Sequence, residues 1–317
     1  MILILTGSQD ATTLDVIKWL CHFDQEIMVL SNEDIIEEVQ ISNDETVLRF
    51  SDQRTLDFSK IKAYWYRRGD FTFRLKAAED HPAIIHAHLK RELNSITQLI
   101  HNRLLELPNL SSSLNADSNR LDVMCIAENA GLKIPSFGVF NTRRQVQDFA
   151  VKHGKIVTKP IGDGISLNED EVVYMQYTDV FEQEDIDRLP ESFLPGLFVE
   201  YIEKKYELRI FYLRGTCYTM AILSQQDTQT SVDMRHYNFQ RPNRTLPYRL
   251  PEEIAVKIDH LMRQLSLKTG SIDIIVSPED EFVFLEVNPV GQFGNVSANC
   301  NYYLERNVAL HLSKLSL

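Results

Sequence analysis

The chain has 317 residues, 44% of them hydrophobic and 25% charged, the make-up of an ordinary globular protein with room for two or three subdomains. A formal charge of -12 argues against a general nucleic-acid binder, because phosphate is repelled away from local basic patches. No run reaches transmembrane length, MILILTGSQD has no basic flank and reads as a strand rather than a signal peptide, and Cys21, Cys125, Cys217 and Cys300 lie far apart without a CxxC, like reduced cytoplasmic thiols.

In chain order, ILILT, GSQDA and TTLDVIKWLCHF predict strand, loop and helix. EIMVL predicts a second strand, 47–58 a short hairpin and 61–66 another strand, which together make a small α/β sheet. A helical pattern runs from Pro82 to Leu107 and stops at Pro108, and 110–119 reads as a Ser/Asn-rich linker. A second unit starts with a helix over 117–130, for which Gly131 is a good C-cap. IPSFGVF is a strand, TRRQVQDFAVKHG a helix, IVTKPIGDG a strand entering a glycine loop, and 172–177 a strand. The acidic stretch 179–190 reads as loop. A third unit has strands LFVEYI, ELRIFYL and TCYTMAILSQ, the last two joined by a turn at Arg214-Gly215. After an irregular stretch, 225–250, come a helix over 251–268, a hairpin of SIDIIVS and EFVFLEV, and a final helix over roughly 298–315.

Three stretches carry chemistry. In the last hairpin, period-2 alternation puts Glu286 and Asn288 on one face, and the turn folds Asp273 back beside them. Three hard oxygen ligands suit Mg²⁺, which takes a few carboxylate or amide oxygens and completes its shell with water and substrate phosphate; the plain alternative is a capped strand end. IVTKPIGDG places Lys159 before Gly162 and Gly164, an amide-rich loop that can hold phosphate, or else a β-turn with a solvated lysine, since no Walker motif is present. In LFVEYIEKKYELRIFYL, the segment Glu200, Tyr201, Ile202 can offer a purine a backbone donor and acceptor. Glu207 can take ribose hydroxyls, and Arg209, on the same face, can reach phosphate. The alternative is a charged hairpin face.

The order of these pieces, a Lys/Gly loop, then E-x₆-E, then D-x₁₂-E-x-N, resembles the ATP-grasp superfamily over roughly 117–317. AYWYRRGDF, EKKYELRIFYLRG, VDMRHYNFQ and EVNPVGQF further resemble the graspetide synthetases, ATP-grasp enzymes that macrocyclise ribosomal precursor peptides, and among them the grasp-with-spasm maturases. The likeness then extends over the whole chain. It implies an α/β and α+β architecture: an N-terminal pre-ATP-grasp α/β domain (1–115), a central ATP-grasp subdomain (116–195) and a C-terminal one (196–317) carrying the metal hairpin.

It also implies ATP and Mg²⁺ as cofactors, a precursor peptide of leader and acidic core as partner, a homodimer, and cytoplasmic action without nucleic acid or membrane. Where many ATP-grasp enzymes have Asn-Lys, this chain has Asn119-Arg120; arginine keeps the charge but not the geometry. Arg209 and Arg235 are the cations implied for the acyl phosphate and the oxyanion that follows. Arg67 and Arg68 alternate to opposite faces, and either could bind the acidic substrate, or both could tie the first domain to the second. Trp65 is expected in the core. The leader dock is expected around 165–190, with Glu182, Glu184, Asp185 and Asp187. Two rivals stand beside this reading: an ATP-grasp ligase acting on a small molecule or protein terminus, and a nucleotide-binding protein without chemistry.

Overall fold

The computed structural model describes residues 1–7, 10–74, 82–162, 166–169, 172–175, 179–223 and 243–317. Arg235, Gly164 and most of the irregular stretch before residue 243 lie outside the described residues. The chain divides into two compact units. Unit 1 joins Met1–Asp117 to Leu267–Gly270 and Asn288–Leu317; unit 2 comprises Ser118–Ser266 and Ser271–Val287.

Unit 1 is built on β1 (Ile2–Thr6), buried at all five positions, as an apolar run in a sheet covered on both faces should be. It pairs in parallel with β2 (Ile27–Leu30) and β6 (Ala63–Arg67), and β6 with β8 (Asn109–Ser111). Between β1 and β2 runs α1 (Ala11–His22), whose first turn is capped by the Asp10 carboxylate accepting from the Thr13 amide at 3.2 Å. A second sheet has the order β5-β4-β3-β7, from β3 (Ile35–Ile41), β4 (Thr46–Phe50), β5 (Thr55–Asp57) and β7 (Thr72–Phe73). Leu3, Leu5, Leu30, Leu48, Phe50 and Tyr64 form the core, closed by Ile100 and Leu104 from the end of α2 (Ala83–Leu105).

Unit 2 opens with α3 (Arg120–Asn129), then β9 (Phe137–Thr142), α4 (Arg143–His153) and β10 (Ile156–Lys159). A two-stranded pair follows, β11 (Ser166–Glu169) and β12 (Val172–Met175), then β13 (Asp179–Phe181), α5 (Gln183–Arg188) and β14 (Ser192–Glu200). The order β13-β10-β14-β9 makes an antiparallel sheet, with Val146 of α4 and Ile186 of α5 packed on Ile156 and Phe198. The second large sheet has the order β17-β16-β15-β18-β19. It uses β15 (Tyr206–Leu213), β16 (Thr216–Leu223), β17 (Arg244–Tyr248), β18 (Thr269–Val276) and β19 (Phe282–Asn288), with α6 (Glu252–Gln264) against β16. Arg214 and Gly215 both have positive φ, 45° and 93°, the two-residue turn whose twist matches a hairpin. The chain then returns to unit 1 with α7 (Gly294–Cys300) and α8 (Leu304–Leu315), the latter packing on α1, β6 and β8.

Several local expectations change. The single final helix is two, because Asn301 and Tyr303 take left-handed backbone (φ 54° and 52°) and interrupt it. The linker after Pro108 starts as a sheet strand, β8. The helix expected from residue 117 starts at Arg120, where the Asn119 side chain accepts from the Leu121 and Asp122 amides. The acidic stretch 179–190 is a strand and a helix: the Asp185 carboxylate accepts from the Glu182 amide at 3.2 Å and holds the first turn of α5. Charges there serve the helix end, so the stretch is regular structure and not a loop. β3 escaped the pattern because IIEEVQI buries only Ile36.

Gly69, in the RRGD motif, has a specific steric reason. A Cβ there would lie 2.6 Å from the Thr6 nitrogen and 2.7 Å from its oxygen, and main chain cannot swing away as a side chain can. Gly69→Ala should cost about 1–3 kcal/mol as an overpacking change, visible as a lower melting temperature; an unchanged melt would show that β1 can yield.

Candidate functional site

The site in unit 2 is laid out by neighbouring strands. β15 lies beside β18 and β18 beside β19, so Glu207 and Arg209, Asp273, and Glu286 come from three adjacent strands. Along the end of β19, Glu286 is half-buried, Val287 buried and Asn288 exposed, so the core takes Val287 and the polar pair turns outward, as the alternation requires.

Asp273 is the centre. Its Oδ1 lies 2.6 Å from Arg209 Nε, yet among the described residues this buried oxygen has no hydrogen bond; the contact is an ion pair off the N–H axis. Desolvation pushes its carboxyl up to about 7; Arg209 pulls it down, Glu286 and Glu207 push it up further, and Lys159 pulls it down. Five ionisable side chains thus share one field.

Glu286 faces Arg120, with Nη2 3.5 Å from Oε2, and Arg120 Nη1 also donates to the Pro160 carbonyl, next to Lys159. Lys159 ends β10 opposite Leu197. Gly162 is exposed, and among the described residues a side chain there would meet nothing within 4 Å. At the end of β14, the Glu200 amide donates to the Ser136 carbonyl, its carboxylate accepts from the Ser136 amide at 3.1 Å, and the Tyr201 amide donates to the Lys155 carbonyl. Of the three residues expected to offer a purine donor, Ile202 alone has no amide hydrogen bond among the described residues.

Glu207 carries a surprise. It is buried, and its Oε1 is met by the ammonium of Lys204, which is only 5% exposed. Nothing in EKKYE distinguishes this lysine from the exposed Lys205 beside it.

Among the described residues no group of three His, Cys, Asp or Glu could hold a metal. Two carboxylates still fit Mg²⁺, which is commonly held by one or two carboxylates together with phosphate and water, and the unbonded Asp273 oxygen is the kind of atom a cation satisfies. Asn288, the third expected ligand, closes β19, and its side chain accepts from the Val290 amide at 3.1 Å.

Unit 1 separates the two arginines that the sequence could not. Arg68 is exposed, with φ 70°. Arg67 is 4% exposed. Its Nε donates to Asp10 Oδ2 at 3.0 Å and its Nη1 to the Gly291 carbonyl at 3.4 Å, while the guanidinium lies over the rings of Trp65 and Phe293 at 5.5 and 5.6 Å. Gln292 extends the network to Thr12 and Asp10. Arg67 is therefore a buried tie within unit 1, while Arg68 is exposed. Trp65 is core, as expected. The YWYRRGD and NPVGQF motifs owe much of their pattern to this packing.

No family model matches the sequence, and no curated protein is similar to it. Solved structures are similar over nearly the whole length. A RiPP-associated ATP-grasp ligase of Chryseobacterium gregarium, in complex with ADP and a leader and core peptide, matches at TM-score 0.84 and 25% identity, over 99% of this chain and 95% of that one. The macrocyclase MdnC of Microcystis aeruginosa MRC, bound with precursor peptide MdnA, matches at TM-score 0.80 and 26% identity, over 99% of both. The ATP-grasp ligase PsnB, complexed with minimal precursor, Mg and ADP, shares the fold at TM-score 0.73 and 15% identity, over 99% and 98%. Along its full length the chain is thus similar to RiPP-associated ATP-grasp ligases and peptide macrocyclases, and it shares their fold.

Proposed function

We propose that the protein is an ATP-dependent peptide macrocyclase. A carboxylate is a poor electrophile, since attack on it would expel oxide. In this reading an Asp or Glu side chain of a precursor peptide attacks the γ-phosphorus of ATP, giving an acyl phosphate and ADP. A Ser or Thr hydroxyl, or a Lys amine, then attacks the acyl carbon, phosphate leaves with the C–O bond electrons, and the nucleophile's proton is lost. An ester or amide crosslink forms, with net loss of one water.

The chain's part is positioning and charge neutralisation. Mg²⁺ held by Asp273, Glu286 and Asn288 would neutralise phosphate oxygens. Lys159 holds phosphate, and Arg120 does so on leaving Glu286. Glu200, Tyr201 and Ile202 border the purine, with the Ile202 amide as the open donor, and Glu207 binds the ribose. Arg209, already against Asp273, faces the transferred group. Arg235 keeps the second cationic role on its sequence motif.

The observation that carries the peptide reading is the whole-length likeness, at 25% and 26% identity, to two enzymes whose structures hold peptides. Co-expression with a small acidic peptide rich in Ser, Thr or Lys, encoded beside the gene, tests it by intact mass. The expected result is loss of one water per crosslink, absent with Glu286→Ala. No mass change, with ATP hydrolysis triggered instead by a free amino acid, would make the enzyme a small-molecule ligase.

Dimerisation and a cytoplasmic setting belong to the same proposal. Among the described residues no helix is long and apolar enough to cross a membrane, and all four cysteines are free, which fits a reducing compartment. The N-terminal half of α2 lies outside the buried core of unit 1 and exposes Ile84 and Ile85. Light scattering should give twice the chain mass, and Ile84→Glu with Ile85→Glu should reduce it to one; a wild-type monomer would end the dimer reading.

A further inference from the structure

We infer that Arg67 is a positioning residue of the metal site: held by Asp10, it fixes the turn that presents Asn288. This rests on the proposed role of Asn288 as a ligand of Mg²⁺.

Asn288, Pro289, Val290 and Gly291 make a turn closed by the Gly291 amide, which donates to the Asn288 carbonyl at 3.1 Å. Asn at the first position, Pro at the second and Gly at the fourth are residues that favour such turns. The Asn288 side chain joins in. Its Oδ1 accepts from the Val290 amide, two residues on, at 3.1 Å, which ties the side chain to the turn's own backbone. An amide oxygen has two lone pairs, so this one bond orients Oδ1 and leaves it able to meet a cation. Pro289, Val290 and Gly291 are buried, and Asn288 is exposed. Wherever the turn goes, that oxygen goes with it.

Arg67 sets where the turn goes. Its Nη1 donates to the Gly291 carbonyl at 3.4 Å, and its guanidinium lies over the ring of Phe293, two residues further on, at 5.6 Å. The guanidinium is itself fixed. It is buried, Asp10 Oδ2 accepts from its Nε at 3.0 Å, and the same oxygen lies 3.0 Å from Nη2. Asp10 in turn caps α1, and Arg67 is the last residue of β6. The turn is thereby referred to a helix start and a strand end, both in unit 1 with it. A planar guanidinium can serve Asp10 and the Gly291 carbonyl together; an ammonium is a point charge and keeps the pairing without the fork. Groups that orient a metal ligand matter to the metal nearly as much as the ligand does.

Mn²⁺ favours the same oxygen ligands as Mg²⁺. It can be titrated into the protein with ADP, well below the melting temperature, and the free ion counted by electron paramagnetic resonance. Arg67→Lys should weaken Mn²⁺ binding by about tenfold, as loss of a partner that orients a ligand does. Asn288→Ala should weaken it too. In an Asn288→Ala background, Arg67→Lys should add no more than about twofold, because the two changes remove the same contact. Arg67→Met with Asp10→Asn separates this role from a purely structural one. It should regain part of the melting temperature that Arg67→Met alone loses, and none of the Mn²⁺ affinity, since the Gly291 carbonyl stays unheld.

Wild-type Mn²⁺ affinity in Arg67→Lys would make the arginine a structural tie only and overturn the inference. So would a full further loss in the Asn288→Ala background, which would mean that Arg67 acts on the metal by another route. Asn288→Ala binding Mn²⁺ like wild type would remove Asn288 from the ligand set, and the inference with it. No Mn²⁺ binding by wild type with ADP would overturn the metal site itself.

Discussion

Asp273→Asn should abolish crosslinking while making the nucleotide-free protein more stable at pH 8. The first half follows from its proposed role as a hard ligand, beside Arg209 and Glu286. Transition-state charge stabilisation by a metal is worth several kcal/mol, and about 1.4 kcal/mol is a decade in rate, so a loss of about a thousandfold or more is expected in intact-mass kinetics.

The second half follows from the sign of the shift. Desolvation raises the Asp273 carboxyl from 3.8 to about 7, so the folded state holds this proton more tightly than the unfolded chain does. Its contribution to stability therefore falls as pH rises from about 4 to about 7 and stays low above that. Asparagine cannot ionise and escapes the penalty. The melting advantage of Asp273→Asn over wild type should be larger at pH 8 than at pH 5, without metal. Mg²⁺ with ADP should raise the wild-type melt by mass action and the variant's far less. A variant no more stable at pH 8 than at pH 5, relative to wild type, would mean that the aspartate is comfortable as built.

What the sequence disclosed, and what it withheld, divides by range. The hairpin of Asp273, Glu286 and Asn288 was legible because strand alternation and one turn are local, and thirteen residues suffice to juxtapose Asp273 and Glu286. Arg209 was legible for the same reason. Lys204 was not: in a charged run every lysine looks solvated, and its burial depends on the bond from the Lys205 amide to Val276, in a strand about seventy residues on. Arg67 could not be told from Arg68 because its partners, Asp10 and Gly291, are 57 and 224 residues away. No change of composition at Asn288 announces that the chain there rejoins unit 1, nor does any helix-breaking glycine or proline mark the split between α7 and α8.

Arg67→Met should unfold the protein more readily without touching peptide recognition, and Arg68→Ala should do the reverse. Arg67 and Asp10 have side-chain exposures of 4% and 8%. Desolvation pushes the Asp10 carboxyl up, but Arg67, the Thr13 hydrogen bonds and Gln292 together hold it below the usual carboxylate range. Its stabilising contribution is therefore present above pH 4 and lost as pH falls through the lowered value. Removing the guanidinium leaves that charge buried without its cation, at a cost of about 3–5 kcal/mol, or roughly 10 °C in a domain of this size. Asp10→Asn in the same chain should recover part of the loss, because replacing both partners is far cheaper than breaking one. Arg68 is exposed, so Arg68→Ala should leave the melt within about 1 °C, as surface changes do, and weaken binding of an acidic peptide in a salt-dependent way. The opposite pattern, with Arg67→Met folding normally and losing the peptide, would show that the tie to Asp10 opens in solution and that Arg67 reaches the substrate after all.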